Sequence, residues 1–324
     1  MSDRYARQEI LPEVGAEGQA RLAAAMVLVV GAGGLGCAVL QYLTAAGVGR
    51  LIVVDPDRVE ESNLHRQPLY RMSDIGQPKV EAARAALADL NPATRIESVR
   101  ERLSSVNAAR HIEAAHVVID AADSFAVTYL LSDTCQRAGK PLVSASVLGL
   151  AGYVGAFCGG APSYRAVFPE LPRSAGSCAE SGVLGTAVGV MGTLEAHLAL
   201  ALLLNWQPTV LGRMLSLDLR TLHVGGFSFA AATEPEEPAI PFIAPAEVQR
   251  TDIVIDLRSL DETPVSPFRA ALRIEVDALE HAQLQVPAGS RVVLCCRSGL
   301  RAWRAARALR SQGHDKLALI AMGE

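Results

Sequence analysis

Two hydrophobic rhythms alternate along the first two thirds of the chain. Short, unbroken apolar runs at residues 26–30, 51–55, 117–120, 142–146 and 153–157 have the length and β-branched content of buried strands. Between them, near residues 35–46, 79–90 and 125–137, the apolar positions recur at helical spacing. Strand and helix in strict alternation predict an α/β fold, a doubly wound, mostly parallel, Rossmann-like sheet that binds its ligand at the carboxyl ends of the strands. A long apolar stretch at 183–205 and two further strand-like runs, 213–219 and 222–229, complete this unit.

The rhythm then stops. Residues 231–247, AATEPEEPAIPFIAPAE, hold four prolines and several acids without periodicity, the signature of an extended linker. A second strand and helix pattern follows in DIVIDLR at 252–258, RVVLCCRSGLRAWRAARALRSQGH at 291–314 and KLALIAM at 316–322. The expected organisation is a large α/β domain over 1–230, a linker over 231–247 and a small α/β domain over 248–324.

Composition narrows the partners. Residues 182–206 approach the length of a membrane span, but Glu195 and His197 interrupt them, which fits a buried helix at a core or subunit interface. With 30 basic against 34 acidic residues and a net charge of -4, there is no general footprint for nucleic acid or an anionic membrane. The N-terminal MSDRYARQEILPEVG lacks the apolar core of a signal peptide, so the expected location is cytoplasmic. Six cysteines without any CxxC indicate no disulfide framework, and Cys178 and Cys296 stand apart in polar, glycine-containing surroundings.

The first strand runs into Gly31-Ala-Gly33-Gly34-Leu-Gly36, a G-x-G-x-x-G turn opening a helix, and Asp55 ends the next strand where a ribose-binding carboxylate belongs. Gly31 permits the tight turn, Gly33 and Gly34 let amides approach phosphate oxygens, and the helix N-terminus favours negative charge. Alone, the turn fits NAD, FAD or ATP. The downstream ESNLHRQPLY, with Asn63, Arg66 and Gln67, and DIGQPKVEAA, with Lys79 after a proline, change the balance. Hydride transfer needs no such cluster of cations, whereas attack on the α-phosphorus of a triphosphate does.

The segments RYARQ, VVGAGGLGC, SNLHRQ, IGQPKVEAA and GVLGTAVGVMGTLEA together resemble the MoeB/ThiF/HesA family, bacterial relatives of ubiquitin-activating enzymes, over residues 4 to 229. The resemblance implies ATP- and Mg²⁺-dependent adenylation of the C-terminal glycine of a small ubiquitin-fold sulfur carrier ending in Gly-Gly. It also implies a homodimer in which each active site borrows an arginine, here Arg7, from the other subunit. Carried over by motif, the nucleotide site comprises Gly31, Gly33, Gly34, Gly36, Asp55, Asp57, Ser62, Asn63, Leu64, Arg66, Gln67, Lys79, Asp123 and Ser124. Arg66 and Lys79 would stabilise the transition state, and Asp123, in IDAADSF, would hold Mg²⁺. Cys178 matches a cysteine that in some relatives forms a covalent sulfur adduct.

The chain also departs from the family pattern. Ser124 and Thr128 stand where an asparagine and an arginine are common, and Ser163 and Ala166 replace the first thiol pair of a structural zinc site whose second pair has no counterpart after Gly225. No zinc is expected, with the segment held by packing instead. At the other end, Cys296-Arg-Ser-Gly-Leu-Arg301 passes from a strand into a basic helix, an arrangement that favours a thiolate or persulfide, aided by Arg297 and Arg301. This loop resembles that of rhodanese sulfurtransferases, and VIDLRS, with Asp256, their early strand and turn. Cys295 points into the core by strand alternation. An adenylate made by one part and attacked by the persulfide of the other is the leading expectation, with an upstream donor such as a cysteine desulfurase. Adenylation of a peptide or RNA-linked carboxylate, and a regulatory nucleotide-binding protein without catalysis, are the alternatives.

Overall fold

The structure, a computed structural model, describes residues 3–172, 182–281, 286–287 and 289–323. Among these residues an eight-stranded sheet is built from β1 (Met26–Val30), β2 (Arg50–Val54), β3 (Arg95–Val99), β4 (Val117–Asp120), β5 (Pro141–Leu148), β6 (Ala151–Cys158), β7 (Arg213–Asp218) and β8 (His223–Ser228). Their order is β3-β2-β1-β4-β5-β6-β7-β8. The first five run parallel, and the last three are antiparallel additions. Successive strands are added outward in opposite directions on the two sides of the β1–β4 pair, so the ligand crevice of a doubly wound sheet opens there.

Alternation along β1 feeds two cores. Val27 and Val29 pack on one face with helices α3 (Gly34–Ala45) and α8 (Gly185–Leu203), while Leu28 and Val30 pack on the other with α5 (Ala108–Ala114) and α6 (Phe125–Ala138). Helices α1 (Ala6–Glu9), α2 (Gly15–Ala24) and α4 (Lys79–Leu90) complete the first part of this unit, and the short α7 (Tyr164–Val167) follows β6. The α8 helix, long and apolar enough to cross a membrane by length and composition, lies with half of its most apolar window buried inside the fold. Its Gly192 sits so close to α3 that a Cβ would stand 2.5 Å from the Leu35 carbonyl oxygen.

The second sheet is parallel, with β9 (Ile253–Asp256), β10 (Leu272–Arg273), β11 (Val292–Cys296) and β12 (Leu317–Ala321) in the order β10-β9-β11-β12. Helices α9 (Val276–His281) and α10 (Leu300–Ser311) connect its strands. Part of the proline-rich stretch joins this sheet. Phe242 bridges Leu319 of β12, the Ile243 amide donates to the Leu319 carbonyl at 2.8 Å, and the Leu319 amide donates to Pro241 at 2.9 Å.

The two sheets share one continuous apolar cluster. At the junction Trp303 of α10 lies 6.1 Å from the ring of Tyr129 on α6, and Arg307 pairs with Glu170 at 2.8 Å. The departure at the expected zinc segment is filled by a carboxylate: Glu234 accepts from the Ser163 amide at 2.7 Å and the Ser163 hydroxyl at 2.6 Å. Hydrogen bonds therefore supplement packing in tying the segment after β8 back to this loop.

Candidate active site

The glycine turn is set by close backbone approach. Gly31 adopts φ +99°, and a Cβ there would stand 2.5 Å from the Ala121 carbonyl oxygen; one on Gly36 would stand 2.1 Å from the Gly31 carbonyl oxygen. The turn is thus interlocked with the loop after β4. Gly34 faces Val188 of α8, where a Cβ would clash at 2.5 Å, whereas Gly33 has open space, with Gln67 Nε2 at 3.7 Å from the same virtual atom. Bare backbone at an opening beside a helix N-terminus suits phosphate oxygens. The buried Gln67 carbonyl Oε1, next to this opening, has no hydrogen-bond partner among the described residues. Both observations fit a bound nucleotide.

Asp55 is tied directly to the turn. Its Oδ2 accepts the Ala32 amide at 2.7 Å and its Oδ1 the Asp57 amide at 2.8 Å, leaving further lone pairs for ribose hydroxyls. Burial pushes its carboxyl above the ordinary range, an effect partly offset by the nearby Lys79 charge and by these two amides. Lys79 opens α4 behind Pro78, and its buried Nζ lies 3.0 Å from Asp57 Oδ2. The loop carrying Ser62, Asn63, Leu64 and Arg66 is wedged between the turn and α8: a Cβ on Gly34 would lie 3.4 Å from the Arg66 carbonyl, and one on Gly185 2.4 Å from that of His65. Asn63 Nδ2 donates to Ser62 Oγ at 3.1 Å, and Arg66 Nη1 to the Ser62 carbonyl at 3.2 Å. Turn, carboxylate and both cationic residues therefore come from one corner of the sheet.

The loop after β4 supplies the other wall. Asp120, the last residue of β4, is buried, accepts from Ser144 Oγ at 2.9 Å and lies 3.4 Å from the Ala122 amide. Burial pushes its carboxyl up to about 6, against hydrogen bonds from Thr128 and Ser144. Asp123 is exposed two residues beyond Ala121, and Ser124 caps α6 in an extended conformation. One exposed carboxylate beside a triphosphate cradle matches the sparse oxygen set with which proteins hold Mg²⁺. When bound, the ion would neutralise phosphate charge. Among the described residues no group of three or more His, Cys, Asp or Glu side chains is placed to hold a metal by itself.

Arg7, expected to serve the other subunit's site, lies away from this corner within its own chain. Arg7 is exposed on α1, whose neighbour Gln8 donates to the Ala46 carbonyl at the far end of α3. A 12-residue helix separates the turn from that end, about 18 Å at 1.5 Å per residue. Cys178 falls outside the described residues.

In the second sheet, Cys296 ends β11 and its Sγ accepts amides from Gly299 at 3.1 Å and Ala302 at 3.4 Å. Gly299, at φ +91°, makes the turn into α10, and a Cβ on it would meet the Phe242 ring at 2.7 Å. Arg301 pairs with Glu262 and donates to the Leu257 carbonyl at 3.1 Å. Both Cys295 and Cys296 are buried; burial pushes the Cys295 thiol up to about 12. Sequence reasoning passed over Asp120 and Glu234, the first hidden as the end of an apolar strand and the second lost in the proline-rich run. A carboxylate closing such a strand was the available signal for Asp120.

The sequence profile of the ThiF family matches residues 5–239. A sulfur carrier protein adenylyltransferase of Thermus thermophilus is 44% identical over 256 residues, 76% of this chain and 93% of its own. The SAMP-activating enzyme E1 of Haloferax volcanii is 44% identical over 67% of this chain and 81% of its own. The adenylyltransferase and sulfurtransferase MOCS3 of Bos taurus is 48% identical over 218 residues, and this match spans 48% of its length. Among solved structures, Escherichia coli MccB with MccA-N7isoASN superposes with a TM-score of 0.65 at 20% identity, covering 73% of this chain and 74% of that one. Together with the glycine turn and its flanking loops, these matches place the chain in the ThiF family, as an enzyme of the adenylyltransferase class.

Proposed function

We propose that the protein uses ATP to adenylate the C-terminal glycine carboxylate of a small ubiquitin-fold sulfur carrier and then converts the adenylate to a thiocarboxylate. The observation that carries the first step is the convergence of Asp55, Lys79 and the 62–67 loop on a glycine turn interlocked with the Asp123 loop. In this reading Asp55 holds the ribose, the turn amides hold the phosphates, and Asp123 holds Mg²⁺. A carboxylate oxygen of the carrier attacks the α-phosphorus, the bond to the bridging oxygen breaks, and pyrophosphate leaves. Arg66 and Lys79 stabilise the charge that gathers on the nonbridging and leaving oxygens. Arg7, remote from the turn within one chain, serves the site of a second copy in a homodimer.

The sulfur step is assigned to Cys296, whose sulfur sits under two amides at a helix N-terminus. The outer sulfur of a Cys296 persulfide attacks the acyl carbon and displaces AMP; a thiol reductant then attacks the inner sulfur, which frees the thiocarboxylate and leaves a mixed disulfide on Cys296, and a second thiol reduces this to regenerate the Cys296 thiol. The test is pyrophosphate exchange with purified carriers ending in Gly-Gly, followed by thiocarboxylate formation with a persulfide donor. Carrier-dependent exchange supports the first step, and exchange with peptide or RNA carboxylates alone overturns the carrier assignment. ATP binding without exchange identifies a protein whose catalysis has lapsed. Replacing Cys296 by Ala is expected to abolish persulfide loading and leave exchange intact; loading that survives the change removes Cys296 from the mechanism.

A further inference from the structure

Asp120 stands where the metal loop leaves the sheet. The next residue, Ala121, donates its amide to the Val30 carbonyl at 2.9 Å and presses its own carbonyl against Gly31, so the loop begins against the phosphate turn. Three elements then meet the Asp120 carboxyl: Ser144 on β5 donates to Oδ2 at 2.9 Å, the Ala122 amide approaches Oδ1 at 3.4 Å, and Thr128 contributes its hydroxyl from the first turns of α6. That hydroxyl also donates to the Ser124 carbonyl at 3.3 Å, and its single proton serves one acceptor at a time, so Thr128 links the end of the loop to its floor by turning between the two. Asp123 is carried on the four residues thus held at both ends.

We propose that Asp120 is a positioning residue for the nucleotide-bound Mg²⁺: through Ser144, Ala122 and Thr128 it fixes the 121–124 loop in the arrangement that presents Asp123. The inference rests on the assignment of Asp123 above. The chemistry favours a carboxylate, because only an acceptor with several free lone pairs can take a hydroxyl from β5 and an amide from the loop together and still accept the α6 hydroxyl when it turns inward. An asparagine would turn its own N–H groups toward one of these donors. Thr128 fits this role because it is short and buried, and it turns inward at a position where the resembling family commonly places an arginine. The loop is therefore fastened from beneath.

The test is ATP binding to the full chain by titration calorimetry, with and without Mg²⁺. Asp120→Ala is expected to raise the Mg²⁺ concentration at half-effect by about tenfold or more, as loss of an outer-shell partner of a metal ligand does, while metal-free ATP binding stays within about twofold. Asp120→Asn and the isosteric Thr128→Val, which guard against a misfolded Ala variant, should shift it in the same direction, and Thr128→Ser should restore it. On an Asp123→Asn background none of these changes should add to the loss. Unchanged Mg²⁺ dependence in both isosteric variants, or equal losses with and without metal, overturns the proposal while leaving the Asp123 reading intact. If Asp123→Asn itself leaves the Mg²⁺ dependence unaltered, the metal assignment falls and takes the positioning role with it.

Discussion

Asp120 and Asp256 occupy equivalent places, each the last residue of an interior parallel strand and each at most 1% exposed, yet their surroundings differ in charge. Asp120 meets the hydroxyls of Ser144 and Thr128, and burial pushes it up to about 6. At Asp256 burial acts in the same direction but is overcome: Arg258 binds it in a fork at 2.9 and 2.8 Å, Ser266 adds a bond at 2.9 Å, and its carboxyl falls to about 2. The second sheet repeats this pattern, with Arg291 on Asp252 and Arg301 on Glu262. Its acids and arginines are spent on one another and hold the scaffold of the Cys296 loop. Around the first sheet Asp55, Asp120 and Glu195 are all pushed upward by burial, which favours their protonated forms.

The largest expected effect comes from breaking the neutralised pair. Arg258→Ala should cost about 3–5 kcal/mol, because it strands a buried carboxylate. Urea unfolding at neutral pH measures it. The sign with pH is fixed: a lowered carboxyl stabilises the fold above its unfolded value near 4 and loses that contribution as pH falls toward about 2. The gap between wild type and variant should therefore narrow below about pH 4. A gap that is small at neutral pH would mean that Ser266 and Arg273 suffice to hold Asp256.

Lys79→Ala should behave in the opposite way. Its partner Asp57 is largely exposed, with 60% of its side chain accessible, so water can replace the ammonium there and the loss of stability should be smaller than for Arg258→Ala, coming mainly from the buried Asp55 carboxyl that the Lys79 charge no longer offsets. Adenylation, in contrast, should slow by about a hundredfold, the usual consequence of removing a preorganised charge from a transition state. Arg66→Ala should match it. Pyrophosphate-exchange rates set beside unfolding midpoints would separate the two regions, and a Lys79 variant that loses stability but not rate would reverse their roles.

The sequence carried the nucleotide region further than the sulfur region for a physical reason. The run from Met26 through the glycine turn into α3 and the proline before Lys79 are local signals, and their spacing alone predicts the strand, turn and helix that the structure contains. Strand β3, RIESV, was not predicted because it lies at a sheet edge and is half polar. The pairing of residues 241–243 with β12 was hidden by the prolines around them, and the Ser163–Glu234 contact joins positions 71 residues apart. Cys296 was legible at the turn from strand to helix, but neither its complete burial nor the packing of Phe242, from that proline-rich run, against the Gly299 turn was. Asp120 read as the end of a buried strand; its hydroxyl partners come from β5 and α6, which no local pattern connects.

Glu195 gives the sharpest contrast with Asp256. In the sequence it interrupted an apolar stretch; in the structure it is fully buried on α8, along the stripe of Gly185, Val188 and Gly192 that abuts the nucleotide corner. Neither carboxyl oxygen has a hydrogen-bond partner among the described residues. Burial, reinforced by the charge of Asp120, pushes its carboxyl well above the ordinary range. A raised carboxyl contributes its full stability below the unfolded value and loses it as pH rises toward the folded one, the reverse of Asp256. Glu195→Gln keeps the shape without the proton, so its advantage over wild type should grow as pH rises above the ordinary carboxylate range near 4, by at most about 1.4 kcal/mol per pH unit. Unfolding curves at several pH values would show this slope, and parallel curves would mean that Glu195 remains ionised with a partner that satisfies it.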